Sequence, residues 1–181
     1  MRQRFRHQQY APPSALPPSC ISVFTAGDGD TRKKNSPPPP AGFGVAAVTS
    51  GGAAVYDMCG QVLAGAAPFQ MVKTTTSNLG ALVAFAEACK WAWTDPRARG
   101  CPLVIRYTNE YAAAVATGLW KPRKHKAMAA EAKHAWERLR KQRNGEVYIQ
   151  HAPAAQQWAT RAADLAARGK AGEQVYMPWP A

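Results

Sequence analysis

Acidic side chains are scarce in this sequence. Eleven Asp and Glu stand against 23 Lys and Arg, a formal charge of +12 over 181 residues, and no acid precedes Asp28. Such an imbalance speaks to partners rather than to fold, with nucleic acid first and an acidic protein or a membrane surface second. Cysteine pairing is also missing. Cys20, Cys59, Cys89 and Cys101 form no CxxC unit and have no histidine at metal-ligand spacing. That argues against zinc and predicts reduced thiols in or near a core. No apolar run approaches the roughly 18–20 residues of a membrane span, and no internal repeat is visible. The length suits one domain with a sizeable core plus tails.

Both ends have the composition of tails. Residues 1–20 are rich in Arg, Gln and Pro without apolar periodicity. The basic start, Met1-Arg-Gln-Arg-Phe-Arg-His7, has the composition of an organellar targeting segment. Pro12, Pro13, Pro17 and Pro18 spoil the amphipathic helix such a segment would form, so a basic arm that binds a partner competes equally. Residues 171–181 end in Tyr176-Met-Pro-Trp-Pro-Ala181, aromatics with no core of their own.

Between the tails the pattern alternates. Ile21 to Thr25, Gly42 to Thr49 and a run between Ala53 and Leu63 read as three strands in an antiparallel meander. The charged, proline-rich stretch 31–40 between the first two cannot pair inside a sheet. The hydroxyls of Thr74 to Ser77 signal a helix start, and Leu82, Phe85, Ala86, Cys89 and Trp93 make one apolar stripe along that helix. Leu103 to Tyr107 is a short apolar run of the kind buried in a sheet centre. At Thr108-Asn109 a polar pair opens a second helix through Val115. A residue at that corner sits at the carboxyl end of a parallel strand, where α/β sheets place their sites, which singles out Asn109. A basic segment with a tryptophan follows, Leu119-Trp-Lys-Pro-Arg-Lys-His-Lys126, and leads into a third helix. Met128, Ala132, Ala135, Trp136 and Leu139 form its apolar face, with Lys133, Arg138, Arg140, Lys141 and Arg143 around the rest. Asn144-Gly145 marks a turn, Glu146 to Gln150 a last strand, and Gln156 to Arg168 a last helix closed by Gly169. The order predicts an α/β fold: a mixed sheet with helices on both faces.

Four stretches resemble the ribonuclease H family, in order, over residues 21–170. Ile21-Ser-Val-Phe-Thr-Ala-Gly27 is similar to its first strand ending in Thr-Asp-Gly. Thr76-Ser-Asn-Leu-Gly-Ala-Leu-Val-Ala84 is similar to its Thr-Asn-Asn-x-Ala-Glu-Leu-x-Ala helix start, and Ile105-Arg-Tyr-Thr-Asn-Glu-Tyr111 to its Tyr-Thr-Asp-Ser-x-Tyr corner. Thr160-Arg-Ala-Ala-Asp-Leu-Ala166 is similar to its Asn-Glu-x-Ala-Asp-x-Leu-Ala helix, and Gly42-Phe-Gly44, Thr117-Gly118 and Trp120-Lys121 also fit. The resemblance implies a five-stranded mixed sheet, three antiparallel strands followed by parallel ones.

In that family four carboxylates hold two divalent ions against the RNA strand of an RNA–DNA hybrid; hard Mg²⁺ takes oxygen ligands. Carried over, the first Asp falls on Ala26, the Glu on Ala81 and the second Asp on Asn109, while Asp164 alone is retained. The loop histidine falls on Ala154, and Arg161 takes the place of a Glu. Asp28, Asp30, Glu87 and Glu110 lie nearby in sequence but at positions that do not replace the lost ligands. The expectation is therefore a pseudoenzyme with no metal and no cofactor. What the resemblance leaves is binding: Asn78 of the helix start, and a basic handle of Trp120, Lys121, Arg123, Lys124 and Lys126 continued by Lys133 and Arg140. Phosphate contacts need only positive charge and hydrogen-bond donors. A solvated cationic helix with Trp136 in the core is the competing reading.

Four functions follow, with an active Mg²⁺-dependent nuclease relying on Asp164 ranked last. The first is an inactive, RNA-contacting structural subunit of a large assembly, with an organellar (mitochondrial) ribosome as the first candidate and the two tails holding protein subunits. The second is a free-standing module for RNA–DNA hybrid or double-stranded RNA. The third is a structural subunit of a membrane-protein complex that touches no nucleic acid. The expected compartment is mitochondrial or otherwise organellar, failing that cytoplasmic or nuclear.

Overall fold

The computed structural model describes residues 7–30 and 36–178. The basic start, most of the charged stretch before Pro37 and the last three residues lie outside the described residues. Strands β1 (Ile21–Gly29), β2 (Ala41–Thr49) and β3 (Ala54–Val62) form the meander. Helix α1 (Ser77–Thr94) follows, then β4 (Leu103–Tyr107), α2 (Glu110–Ala116), α3 (Lys126–Gln142), β5 (Val147–His151), α4 (Gln157–Lys170) and β6 (Val175–Pro178). The sheet runs β5-β4-β1-β2-β3-β6. β4 lies parallel to both β1 and β5, and the other pairs are antiparallel.

The sheet has six strands where five are expected, because β6 covers the outer edge of β3. That edge would otherwise expose a row of unpaired backbone groups. The pairing also buries Val175 beside Cys59, so part of the expected C-terminal tail belongs to the sheet. The expected N-terminal tail likewise has a docked end. A 3-10 turn at His7–Tyr10 sets the Tyr10 ring edge-on to Trp136, with centroids 5.4 Å apart.

Alternate residues of β1 feed two cores, as the two-residue period of a strand requires. Ile21 and Val23 join the core under α1, α2 and α3; Phe24 and Ala26 join the one under α4. β1 runs four residues past its expected end, so Asp28 stands in the strand rather than in a turn. α1 is buried far beyond its one predicted stripe, because the sheet lies on one side and α2 and α3 on others. Trp93, placed in that stripe, is instead half-buried at the rim with the Arg138 guanidinium 3.6 Å above its ring. The remaining stripe residues, Leu82, Phe85, Ala86 and Cys89, are buried as expected.

Both helix layers sit unusually close to the sheet. A Cβ at Gly27 would overlap the backbone of Ser77 and Ala81, and one at Gly80 the carbonyl of Gly42. On the opposite face Gly169 packs on Gly60, where a Cβ would come 2.5 Å from the carbonyl oxygen. Gly169 therefore does not close α4 as the sequence suggests. Gly172 does, at φ +98, with Glu173 N–H donating to Arg168 O at 3.1 Å and Gly172 N–H to Gly169 O at 2.9 Å. Asp57 of β3 is 1 % exposed, and Arg161 of α4 grips both its oxygens through Nε at 3.0 and 3.1 Å. Cys20, Cys59 and Cys89 are buried and Cys101 is half-buried, all as free thiols. Among the described residues no helix is long and apolar enough to cross a membrane.

Candidate nucleic-acid interface

The parallel strands β1 and β4 end together, and the candidate residues gather there. Thr108 Oγ1 donates to Thr25 O at 3.2 Å, tying the end of β4 to β1. Asn109 then caps α2: its Oδ1 accepts from Ala112 N–H at 2.9 Å while its Nδ2 donates to Asn78 Oδ1 at 2.8 Å. Asn78 stands in the first turn of α1, one turn before Ala81. Ala81 lies at the Gly27–α1 crossing, and Ala26 precedes Gly27 on the other face of β1. Thus Ala26, Ala81 and Asn109 meet at one end of the sheet. Ala26 and Ala81 are each 3 % exposed, as methyls in apolar surroundings.

Asp164 lies on the exposed side of α4. Its neighbour Leu165 packs at Gly44, the register partner of Ala26, so this turn of α4 lies over the same end of the sheet. Ala154 is exposed in the loop after β5, where its carbonyl accepts from Thr160 Oγ1 at 3.1 Å. These residues do not fit a pair of divalent cations. Two offer methyls, the oxygen of Asn109 is held by a backbone N–H, and one carboxylate is left. Among the described residues no group of three or more His, Cys, Asp or Glu is arranged to hold a metal ion. The nearby acids are engaged elsewhere. Asp28 and Asp30 face Lys170 at 3.6 and 2.8 Å, and Glu87 pairs with Lys90 at 3.0 Å. Glu110 is exposed in the first turn of α2, where a negative charge suits the helix dipole.

The basic handle is the loop from Thr117 to His125 with the start of α3. Gly118 takes φ +79, and Trp120 N–H donates to Ala114 O at 3.0 Å, leaving the indole 39 % exposed. Tyr111 Oη donates to Lys124 O at 3.1 Å. His125, at φ +54, sets its Nε2 3.2 Å from Thr76 Oγ1, the side chain that caps α1 through Leu79 N–H. Burial holds the His125 imidazole below its ordinary pKa, and the neighbouring Lys124 charge adds to the effect. The handle is thereby fastened to the helix start that carries Asn78. Lys121, Arg123, Lys124 and Lys126 are all exposed, and none makes an ion pair among the described residues.

Two expected members of the handle sit differently. Lys133 lies across Gly118 but shares its charge with Glu137 at 3.6 Å. Arg140 is at the other end of α3, about 21 Å along the helix from Lys126. Its guanidinium stacks over Tyr10 at 4.7 Å, and its Nε is buried. Arg140 therefore belongs to the packing of the N-terminal segment, not to the handle. Nothing in the sequence singles out His125 within its basic segment. Only its left-handed backbone and its contact with a residue 49 positions away give it a role.

A scan of protein-family models and a search of curated proteins find no match to the sequence. Among solved structures, the ribonuclease H1 LC11, isolated from compost by a metagenomic approach, superposes with a TM-score of 0.61 at 18% identity, over 84% of this chain and 96% of that one. The same enzyme in complex with an RNA/DNA hybrid gives 0.59 at 17% identity, over 83% and 96%. The ribonuclease H1 of the halophilic archaeon Halobacterium salinarum gives 0.54 at 19% identity, over 83% and 96%. The fold is that of ribonuclease H. In this ribonuclease H-like chain, the corner of β1, β4 and α1 and the loop before α3 are the two places where the expected site residues come together.

Proposed function

We propose that this chain is a ribonuclease H-fold protein that binds nucleic acid without cleaving it, as an RNA-contacting subunit of a larger assembly. One observation carries the reading. At the end of β1 and β4 the expected metal-ligand positions are two buried methyls and a capping amide, while the adjoining handle keeps four exposed cations with no ion pair among the described residues. A solved neighbour of the same fold is a complex with an RNA/DNA hybrid, which supports nucleic acid as the partner. Lys121, Arg123, Lys124 and Lys126 would contact phosphates, Trp120 would stack on a sugar or base, and Asn78 would donate through its amide nitrogen. None of these contacts requires a carboxylate. The basic sequence start and the overall charge of +12 favour an organellar ribosome or similar ribonucleoprotein as the assembly.

The native protein, isolated gently, is to be sedimented with and without ribonuclease. Co-sedimentation with a large particle that falls apart on ribonuclease treatment is the expected result. A large particle that survives would point to a protein-only assembly, such as a membrane-protein complex. Migration as a small free protein would sink the assembly reading and leave the free-standing hybrid or double-stranded RNA module. In a companion assay with Mg²⁺ and a labelled hybrid, no cleavage is expected. Cleavage that disappears in Asp164→Asn would overturn the pseudoenzyme reading.

A further inference from the structure

The opposite face of the sheet carries a feature that neither the corner nor the handle explains. α4 packs mainly across β1, β2 and β3, which leaves β4 beside a cavity of about 270 Å³. Arg106 of β4 faces this cavity, between its register partners Phe24 and Gln150. Its Nε donates to Ser22 Oγ at 3.0 Å, its Nη1 donates to Gln150 Oε1, and its guanidinium carbon lies 5.8 Å from the Phe24 ring centroid. No carboxylate answers the charge: neither Asp nor Glu lines the cavity, and Arg106 makes no ion pair among the described residues. Burial accordingly holds this arginine below its ordinary pKa. A half-buried cation without a counter-ion is costly, and the cost is offset when an anion completes the pair.

We propose that this cavity binds the terminal phosphate of a phosphomonoester. Donors converge on it from two strands, β1 and β4. Arg106 Nη2 has no partner among the described residues. Ser22 Oγ accepts from Arg106, so its own hydrogen is left to donate. The guanidinium edge that would grip a planar carboxylate in two parallel bonds is half taken by Gln150. Separate donors from β1 and β4 suit the divergent oxygens of a tetrahedral group better. Leu16, Phe24, Val48 and Trp158 give the wall an apolar part that accepts the organic portion of the ligand, beside the polar Gln156 and Ser50. The site lies across the sheet from the handle, so it stands or falls independently of the nucleic-acid reading.

The test uses the full chain in calorimetric titration and thermal melts with phenyl phosphate, inorganic phosphate, benzoate and phenol, at matched ionic strength. Phenyl phosphate is expected to bind saturably at about millimolar level or tighter and to raise the melting temperature, because a ligand of the native state stabilises it. Inorganic phosphate should bind more weakly, and phenol not at all. Arg106→Gln should weaken phenyl phosphate binding about tenfold or more, the scale of a lost charge-assisted bond. Arg106→Lys, which retains the charge without the fork, should fall between. A variant with the four handle cations replaced by Gln should bind phenyl phosphate as the wild type does. Equal binding by wild type and Arg106→Gln, benzoate binding as tightly as phenyl phosphate, or loss of binding in the handle variant would each overturn the proposal.

Discussion

The strand-end corner and the basic handle are neighbours, joined through Thr76 and His125, yet they are built in opposite ways. The corner is closed. Glycines let the backbones of β1, β2 and α1 touch, two methyls fill the places around them, and Asn109 and Asn78 satisfy each other. The handle is open. Its four cations face solvent, and its backbone is held by hydrogen bonds from Trp120 and Tyr111 and by the His125–Thr76 contact. A carboxylate at Ala26 or Ala81 would be a desolvated charge, which the corner cannot bear without a counter-charge. Lysines on the handle retain most of their hydration and cost the fold little. Substitutions at the corner should therefore be read in stability, and substitutions on the handle in binding.

The sharpest way to break the comparison is at Gly27. Gly27→Ala drives a methyl into the backbone of α1, where no flexible side chain can yield, and should destabilise by about 3 kcal/mol or more. Chemical denaturation measures this; a loss within a few tenths would mean that the corner is loose. Next comes the handle. Replacing Lys121, Arg123, Lys124 and Lys126 by Gln should lower the salt dependence of duplex binding by about 3–4 units of log–log slope, with the melting temperature nearly unchanged. An unchanged slope would move the binding face elsewhere. Asn109→Ala removes a helix cap and the partner of Asn78, at about 1–2 kcal/mol. Asn109→Asp retains the cap and should cost less, because the Asn78 amide can turn to present its donor.

The smallest effect concerns His125. Its folded pKa lies below its unfolded value of about 6.5, so the unfolded chain binds the proton more readily. The contribution of the neutral ring is present above the unfolded pKa and is lost as pH falls through the folded one. Stability should therefore decline more between neutral and mildly acidic pH in the wild type than in His125→Gln. Identical pH profiles for the two would show that the ring carries no such coupling.

Much of the fold could be read along the chain, and the reasons are local. Thr76 as a cap, Met128 to Leu139 as an apolar face, the run from Leu103 to Tyr107 as a buried strand and Asn144-Gly145 as a turn each rest on signals within a few residues. Where the reading failed, the deciding contact was distant. Gly169 looks like a helix stop until Gly60 is found against it. Arg140 looks like a surface cation until Tyr10 is found under it. Val175 to Pro178 carries no strand signal strong enough to outweigh its proline, and becomes a strand because β3 offers an edge.

The same division applies to the site. Composition and order along the chain are sufficient to determine the excess of positive charge, the mixed sheet, and the presence of Ala26, Ala81 and Asn109 at the strand and helix ends, since these are properties of residues and their spacing. Which of the cations stand exposed, which histidine fastens the handle, and that Arg106 faces a cavity without a carboxylate were decided only in the folded molecule. Each depends on side chains from separate strands and helices meeting across the sheet, and the geometry of such meetings is written in no single stretch of the chain.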